Sequence, residues 1–357
     1  MSNISINKTT FKFSPFGGVR GGLFFLCFLF TFSLSAQRES LRNFRVIFYN
    51  VENFFDIYPD SIADDSEWLP GGMRGWNRTR YRQKQANIAK VITAIGGWNT
   101  PALVGLAEVE SRRALIDLTR NSPLRALGYR FIHHESPDAR GIDVALLYHP
   151  FQFFPISDKA IPIQLPNTDR GTRDILYVSG TTFRGDTLHV FVTHYPSRWG
   201  GELESEVGRI FVSSVLRTHV DSLFAVYANP NILIMGDFND YPTNRSVRET
   251  LGANPITNSI SERELYNLSY QLHADGKGTY KFQGEWGMLD QIIVSGSLLN
   301  PTNGIFTLQQ DVHVFDADFL LEPDDNFLGR RPFRTYIGMR YHGGFSDHLP
   351  LVVDFWY

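Results

Sequence analysis

Residues 233 to 240, Leu-Ile-Met-Gly-Asp-Phe-Asn-Asp, combine a buried-strand pattern with three oxygen-bearing side chains. A short apolar run is typical of a strand inside a sheet, and Asp237, Asn239 and Asp240 crowd the turn that follows it. Hard oxygen donors at the end of a strand suit a divalent cation such as Mg²⁺, Mn²⁺ or Ca²⁺ better than a soft metal. Asp and Asn are also common in ordinary turns, so this run alone favours a metal site only slightly.

Carboxylate, amide and imidazole groups recur at the ends of other strand-like runs. In chain order the set comprises Asn50, Glu52, Glu108, Asp143, His194, Asp237, Asn239, Asp290, Asp347 and His348. Each has an ordinary explanation alone, since Asn50 can cap a turn, Glu108 can pair with an arginine, and a lone histidine is more often structural. Together they predict one shared site, because adjacent carboxylates are costly unless a cation or an arginine lies among them.

From Phe44 onward the sequence resembles the endonuclease/exonuclease/phosphatase superfamily, which has the deoxyribonuclease-I-like fold. The Gly-Asp-Phe-Asn run at 236–239, followed by Ser-Asp-His at 346–348, is the most specific part of this resemblance. The other matching runs are Tyr49–Asn53, Ala107–Val109, His194–Arg198 and Leu289–Ile292. Arg331–Tyr336 and Tyr341–Gly344 resemble a secreted branch found in Bacteroidetes-type bacteria.

The resemblance implies an α/β fold, a four-layer sandwich of two packed mixed sheets flanked by helices. It also implies metal-dependent hydrolysis of a phosphoester, which needs a nucleophilic water and relief of the charge that develops on phosphate. In this pattern His348 is the general base acting on water, and Asp290 holds its other ring nitrogen.

The same resemblance assigns the remaining polar residues around a metal ion. Mg²⁺ is the expected cofactor, with Mn²⁺ and Ca²⁺ as alternatives. The implied metal set is Glu108 as principal ligand, Asn50 and Asp347 beside it, and Glu52 as a more distant partner. Asp237 and Asn239 are expected to orient water or to bind a second metal and the phosphate.

Further residues are expected to contact the phosphate or the leaving group. His194 is predicted to donate to a phosphate oxygen or the leaving oxygen, with Asp143 as its carboxylate partner, although a turn role for Asp143 is equally open. Arg198 and Arg173 are candidates for phosphate contact, because a guanidinium matches phosphate oxygens. An ordinary ion pair with the adjacent Asp174 is the alternative for Arg173.

Composition indicates a soluble globular chain with an export signal. The 357 residues are 43% hydrophobic and 20% charged. Residues 1–36 have a basic, acid-free start and about a dozen apolar residues, which is too short for the roughly 20 residues of a membrane span, so they predict a cleaved signal peptide. Cys27, the only cysteine, lies inside it after Leu26, which does not fit a lipoprotein site.

The mature protein is predicted to be one catalytic domain at 37–357, without disulfides and periplasmic or secreted. The leader carries three basic and no acidic residues, so 31 Lys and Arg remain against 37 Asp and Glu, a net charge of −6. This charge disfavours processive binding to duplex nucleic acid. It does not disfavour capture of a single phosphate.

Strand-like and helical runs alternate along the chain, which favours sheets covered by helices with loops at one rim. A helix is predicted at about 80–95 and another at about 204–227, and a polar loop at 56–79. Prolines interrupt residues 151–166. The predicted buried faces comprise Ile88, Val91, Ile92 and Ile95 in the first helix and Val207, Ile210, Phe211 and Val215 in the second.

Three functions are compatible with these patterns. A nuclease-type phosphodiesterase leads, because His194 together with His348 resembles the two-histidine nucleases. A lipid or inositol headgroup phosphohydrolase is second, supported by the acidic charge and by Trp68, Trp76, Trp199 and Trp286, which either contact substrate or membrane or simply pack the loops. A non-catalytic binding scaffold is third, and the intact set of metal and base residues argues against it. A monomer is expected.

Overall fold

The computed structural model describes residues 43–357, except for 61, 62, 167 and 199. The predicted signal peptide at 1–36, Cys27 and Trp199 therefore lie outside the described residues. No helix within the described ranges is long and apolar enough to cross a membrane.

The first sheet contains the first and the last long strands of the chain. Its six strands run in the order β14-β19-β1-β2-β4-β3. Their bounds are β1 Phe44–Phe54, β2 Leu103–Val109, β3 Arg130–His133, β4 Asp143–Tyr148, β14 Val312–Val314 and β19 Leu351–Phe355. Strand β1 is parallel to β2 and antiparallel to β19, so the sheet is mixed.

The second sheet has seven strands in the order β5-β6-β7-β8-β13-β10-β9. Their bounds are β5 Phe153–Ile161, β6 Ile175–Thr182, β7 Thr187–His194, β8 Asn231–Asp237, β9 Ala253–Asn254, β10 Leu265–Asn267 and β13 Asp290–Ser295. Strands β7 and β8 are parallel, and β13 is antiparallel to β8. This sheet is therefore also mixed.

Within the described residues, three small hairpins and four α-helices accompany the two sheets, together with short 3-10 and π turns. The hairpins pair β11 Tyr280–Phe282 with β12 Glu285–Gly287, β15 Leu321–Pro323 with β16 Arg330–Pro332, and β17 Tyr336–Ile337 with β18 Arg340–Tyr341. The helices are α1 Arg78–Gly96, α2 Arg112–Ile116, α3 Glu202–Val226 and α4 Ser269–Ala274.

Alternation along the strands builds the layers, because successive side chains point to opposite faces of a sheet. Ile47 and Tyr49 of β1 face the cluster that contains Ile88 and Ile92 of α1. The alternate β1 residues, such as Phe48, join a second cluster with residues of the other sheet.

On the far side, Ile234 of β8 packs with Leu216 and Val220 of α3. The order is helix, sheet, sheet, helix, which confirms the predicted four-layer fold.

One strand was not predicted, and one predicted helix face is partly wrong. Residues 153–161 form strand β5, paired antiparallel to β6, with Pro155 inside the strand at a shift of register. In α3 the buried residues include Val212, Leu216 and Val220, whereas Val207 is 58% exposed. Phe211 and Val215 do pack, partly buried, against the core cluster, and Arg209, an unexpected core residue, is buried in an ion pair with Asp240 at 2.8 Å.

The tryptophans of the predicted loop at 56–79 pack against the domain core. Trp68 stacks on Phe55 with ring centroids 4.6 Å apart, and the indole nitrogen of Trp76 donates to the Asp56 carbonyl at 2.9 Å. Both side chains are buried, and Trp286 packs partly buried against the same cluster. These three tryptophans therefore pack the loops against the core, which is one of the two roles that the sequence allowed for them.

Candidate active site

Three neighbouring strands of the second sheet bring His194, Asp237 and Asp290 side by side. Asp237 is paired in register with both residues: with His194 across the parallel β7–β8 pair, and with Asp290 across the antiparallel β8–β13 pair. Gly236 allows this close approach, since a Cβ there would lie 2.4 Å from the Thr193 carbonyl oxygen. All three side chains are buried, and they form one wall of the site.

His348 lies on the loop before β19 and is held from two sides. Its Nδ1 is 2.7 Å from Asp290 Oδ2, and its Nε2 is 3.7 Å from Asp237 Oδ2. The Ser346 hydroxyl accepts the His348 backbone N–H and donates to the Asn50 carbonyl. The loop is thereby fixed to β1, and the imidazole is oriented by a carboxylate.

The two histidines have opposite proton affinities. Burial alone would lower the pKa of His348, but the Asp290 and Asp237 carboxylates outweigh it and hold that pKa well above its ordinary value. Burial lowers the pKa of His194 far below its ordinary value, and the Arg173 and Arg140 charges act in the same direction. His194 is therefore neutral, and His348 is the histidine that carries a proton readily.

Asn50 and Glu108 form the wall contributed by the first sheet. The Asn50 amide donates to Asp237 Oδ2 at 3.0 Å and approaches Glu108 Oε1 at 3.5 Å. Glu108 Oε2 accepts the Asn53 backbone N–H at 2.8 Å. Because Asn50 contacts a carboxylate from each sheet, its amide joins the two halves of the site. We call these residues the site rim: Asn50, Glu108, His194, Asp237, Asp290 and His348.

Backbone strain is concentrated at this site. Glu52, Asn53, Glu108 and Asn239 have φ values of 51°, 54°, 64° and 49°, in the left-handed region that non-glycine residues rarely adopt. Local hydrogen bonds hold them there; the Asn239 N–H, for example, donates to Asp237 Oδ1 at 2.9 Å. Such strain typically costs about 1–3 kcal/mol per residue and clusters at functional sites.

The donor set fits a hard divalent cation. Ligand atoms of Asp237, Asp290 and His348 lie within 4.8 Å of one another. Burial raises the pKa of Asp237 to about 6, although His348 acts against it; Asp290 adds to the increase. Asp290 Oδ1 is buried without a hydrogen-bond partner in the described part of the chain. Carboxylate oxygens are ligands that Mg²⁺ accepts, whereas the Asn50 amide oxygen here accepts the Glu52 backbone N–H at 3.0 Å.

The predicted partnership between Asp143 and His194 is wrong. Asp143 Oδ2 lies 3.2 Å from His133 Nε2, and its Oδ1 accepts the Ser136 backbone N–H at 3.0 Å. Both oxygens are used within the β3–β4 edge. The nearest carboxylate to His194 is Asp237, with 3.6 Å between His194 Nε2 and Asp237 Oδ2.

Arg173 has partners within the protein, and its predicted phosphate contact stays a prediction. Its guanidinium is buried and bonds to Asp138 at 3.0 Å and to the Tyr195 carbonyl at 2.6 Å. The ion-pair alternative holds, with Asp138 in place of Asp174. Arg198 donates to the Asn239 carbonyl at 2.7 Å, so it supports the loop after β8, and its phosphate contact stays a prediction.

Asp347 and Glu52 lie beside the rim, and both contact Arg334. Asp347 Oδ2 is 2.7 Å from the Arg334 guanidinium. The two oxygens of Glu52 accept the backbone N–H groups of Thr335 and Tyr336, at 2.6 and 3.2 Å. The ligand roles predicted for Asp347 and Glu52 stay predictions.

Sequence reasoning assigned no role to Arg334, Arg140 or Lys84. Arg140 approaches Glu108 at 3.5 Å, and Lys84 is buried behind Glu52. The run 331–336 resembles the secreted branch of the family, and this resemblance is the sequence feature that points to Arg334. A lysine inside an amphipathic helix gives no comparable signal.

A cavity of about 950 Å³ lies next to the Glu108 side of the rim. Asn53 and Arg140, which both contact Glu108, line it together with Trp68, Arg173 and Ser197. The volume is sufficient for a drug-sized ligand. It leaves room for the part of a substrate beyond the reacting phosphate.

Residues 45–356 match the sequence model of the Endonuclease/Exonuclease/phosphatase family, and the chain belongs to this family. Its members are typically metal-dependent phosphoester hydrolases. No curated protein sequence is significantly similar to this chain.

Solved structures of low sequence identity share the fold. A humanised D. rerio TDP2 has a TM-score of 0.52 at 15% identity, covering 88% of this chain and 98% of that one. The human Nocturnin catalytic domain has a TM-score of 0.52 at 18% identity, covering 90% and 99%. A family protein from Bacteroides thetaiotaomicron has a TM-score of 0.51 at 16% identity, covering 89% and 96%.

Proposed function

We propose that this protein is an exported, divalent-metal-dependent phosphodiesterase of the nuclease type. The observation that carries the proposal is the position of the His348 imidazole, 2.7 Å from Asp290 and 3.7 Å from Asp237. An imidazole steered by one carboxylate and facing a second is suited to take a proton from water beside a phosphorus centre.

In the proposed reaction His348 Nε2 accepts the proton of the attacking water. Asp290 keeps Nδ1 protonated and stabilises the imidazolium that forms. Asp237 and Asn239 orient the water and the phosphate. His194, neutral and buried, donates to a phosphate oxygen or to the leaving oxygen.

The implied cation would be held by Glu108 and Asn50, with Asp347 and Glu52 beside them. When bound, the ion would neutralise charge on the phosphate, and its own charge would favour the unprotonated imidazole of His348. Mg²⁺ is the proposed ion, with Mn²⁺ and Ca²⁺ as alternatives. Oxygen donors support all three, so only binding measurements distinguish them.

Nucleic acid is the proposed substrate class, and a monomer the proposed form. A D. rerio TDP2 of the same fold was solved with a single-strand DNA product, which supports this class by fold alone. The cavity beside Glu108 offers space for an adjoining nucleotide.

A lipid headgroup substrate is the second candidate. Phe282, at the end of β11, and Phe327 and Leu328, between β15 and β16, are exposed by 63%, 46% and 96%. The two segments adjoin, since a Cβ on Gly284 would lie 2.9 Å from the Phe327 ring. Exposed apolar side chains of this kind suit contact with a lipid surface. Trp68 and Trp76 do not contribute to this argument, because they are buried.

The test is a substrate panel with the mature protein in Mg²⁺, Mn²⁺, Ca²⁺ or EDTA. The panel contains plasmid DNA, RNA, a chromogenic bis-ester phosphate, sphingomyelin and inositol phosphates. We expect metal-dependent cleavage of nucleic acid and of the bis-ester. Cleavage of sphingomyelin alone would favour the second candidate, and no cleavage with any metal would contradict both.

His348→Ala should lower turnover by about 10²- to 10⁴-fold, the usual contribution of a general base, without loss of Mn²⁺ binding. The matched control is His134→Ala, because His134 also pairs with an aspartate, Asp158 at 2.7 Å, but on the surface. Turnover of the His348 variant equal to that of the control would remove His348 as the base.

A reporter fusion tests export separately. Residues 1–36 joined to a periplasmic reporter should direct it across the inner membrane. Retention of the reporter in the cytoplasm would contradict the export proposal without affecting the proposed chemistry.

A further inference from the structure

The guanidinium of Arg334 lies between two carboxylates beside the site rim. Its Nη2 is 2.7 Å from Asp347 Oδ2, and its Nε is 3.7 Å from Glu52 Oε1. Both carboxylates belong to the set that the sequence assigns to metal binding. A group of adjacent carboxylates needs a cation or an arginine, and on this side the protein supplies the arginine.

The surrounding segment fixes the backbone of Arg334. Glu52 accepts the N–H groups of the next two residues, and the Gly344 N–H donates to the Arg334 carbonyl at 3.1 Å. The buried Lys84 ammonium donates to the Thr335 hydroxyl at 2.5 Å and to the Phe345 carbonyl at 2.6 Å. A planar guanidinium held in this way is a permanent positive charge.

The Glu108 side of the rim has a different electrostatic environment. Glu108 is approached at 3.5 Å by Arg140, a longer contact than the 2.7 Å between Arg334 and Asp347. Asp237, the next carboxylate, accepts the neutral N–H groups of Asn50 and Asn239 at 3.0 and 2.9 Å and lies 3.7 Å from His348. Negative charge on this side is therefore paired less closely with a resident cation than it is beside Arg334.

We propose that Arg334 is a resident cation that takes the place of a second divalent ion, so that the active site binds a single metal, on the Glu108 side. The proposal rests on the metal dependence of the proposed function. In this proposal Asp347 and Glu52 pair with Arg334 and do not bind a metal ion. The run 331–336 thereby contributes a residue to the site.

The experiment counts bound Mn²⁺ per full-length chain by electron paramagnetic resonance of the free ion. Wild type should bind one Mn²⁺. Arg334→Met removes the charge at similar side-chain length and should bind two. The double variant Arg334→Met/Asp347→Asn should return to one, because the new site loses its carboxylate.

Arg331→Met is the matched control, since Arg331 lies on the same segment but pairs with Glu322 at 2.9 Å; it should bind one Mn²⁺. Two ions in wild type, or one in a folded Arg334→Met, would overturn the proposal. No ion in any variant would instead overturn the metal site itself.

Asp347→Asn keeps the proposal testable if Arg334→Met does not fold. The single variant should retain the one Mn²⁺ with little change in affinity, because in the proposal the Asp347 carboxylate pairs with Arg334 and does not bind the ion. A loss of Mn²⁺ affinity of more than about tenfold, equivalent to about 1.4 kcal/mol, would show that Asp347 is a ligand and would overturn the assignment.

Discussion

His348 and His194 lie on either side of Asp237, yet their environments push their pKa values in opposite directions. Burial acts on both histidines, and the neighbouring charges then differ: carboxylates face His348, whereas Arg173 and Arg140 lie near His194. Asp290 bonds to His348 at 2.7 Å, whereas His194 Nδ1 is buried without a hydrogen-bond partner in the described part of the chain. Two chemically identical side chains are thereby prepared for two different proton-transfer roles.

Asp290→Asn should shift the acid limb of the pH–rate profile to lower pH. The Asp290 carboxylate raises the pKa of His348, so its removal lowers that pKa and leaves the imidazole unprotonated at lower pH. Turnover at the optimum should fall by about 10- to 100-fold, the usual cost of losing such an orienting partner. Initial rates from pH 5 to 9 measure both effects.

Asp158→Asn is the control for this prediction. Asp158 pairs with the partly exposed His134, so its removal should leave the profile unchanged. An acid limb of Asp290→Asn that stays in place, or moves to higher pH, would contradict the steering role of Asp290.

Glu108→Gln should weaken Mn²⁺ binding by more than the roughly tenfold that loss of an outer hydrogen-bond partner costs. The amide keeps the shape of the side chain and removes a negative charge that attracts the ion. Isothermal titration gives the affinity. Glu249→Gln, a surface change at a side chain 68% exposed, should leave it unchanged, and equal affinities for the two variants would refute the ligand role.

At this scale the sequence predicted which strand-end residues meet, but not every partner. The runs 236–239 and 346–348 identified His348, Asp237 and Asn239 because short motifs carry their own local geometry. The partner of Asp143 depends on the register of β3 against β4, which brings in His133. A sequence pattern does not fix that register.

At the scale of elements, the loop before α1 is an anchored structure. Trp68, Trp76 and Tyr336 form an edge-packed group, with the Trp68 and Tyr336 rings 5.4 Å apart. Tyr336 is the last residue of the run 331–336, which carries Arg334. The loop therefore packs, through Trp68 and Trp76, against the run 331–336 that lies beside the site.

Trp76→Ala should destabilise the protein by about 3–5 kcal/mol, the usual cost of deleting a large buried aromatic side chain. It also removes the hydrogen bond to the Asp56 carbonyl. Urea unfolding followed by circular dichroism measures the change. Trp98→Ala is the control, because Trp98 is fully exposed; a similar loss in both variants would contradict the anchoring role of Trp76.

Prediction of helices succeeded where apolar residues alone fill the buried face. The residues Ile88, Val91, Ile92 and Ile95 of α1 are all buried as predicted. In α3 the apolar pattern was only partly right: Phe211 and Val215 pack against the core, Val207 is exposed, and Arg209 occupies the core side through its ion pair with Asp240. A charge buried by a distant partner is not recognisable from the periodicity of one helix.

At the scale of the whole molecule, stability should depend on pH through Glu110. Burial raises the pKa of Glu110 from 4.5 to about 9, and the nearby Asp56 carboxylate adds to the effect. A raised carboxyl pKa means that the folded state disfavours the charged form. The free energy of unfolding should therefore fall as pH rises from about 4.5 towards 9.

Glu110→Gln should remove this dependence and stabilise the protein at pH 8 by on the order of 2 kcal/mol. Glutamine still accepts the Asp56 backbone N–H that Glu110 binds. Urea unfolding at pH 5 and pH 8 measures the difference, with Glu249→Gln as the exposed control. A larger gain at pH 5 than at pH 8 would contradict the assignment.

The Ser346 hydroxyl bonds to the Asn50 carbonyl across 296 residues of sequence, and β1 pairs with β19. Closing so large a loop is slow and entropically expensive. A nascent chain on the ribosome consequently cannot bring His348 to Asn50, Asp237 and Asp290 until residue 348 has been translated. The proposed activity would therefore be acquired only after β1 and the segment before β19 are both available for folding.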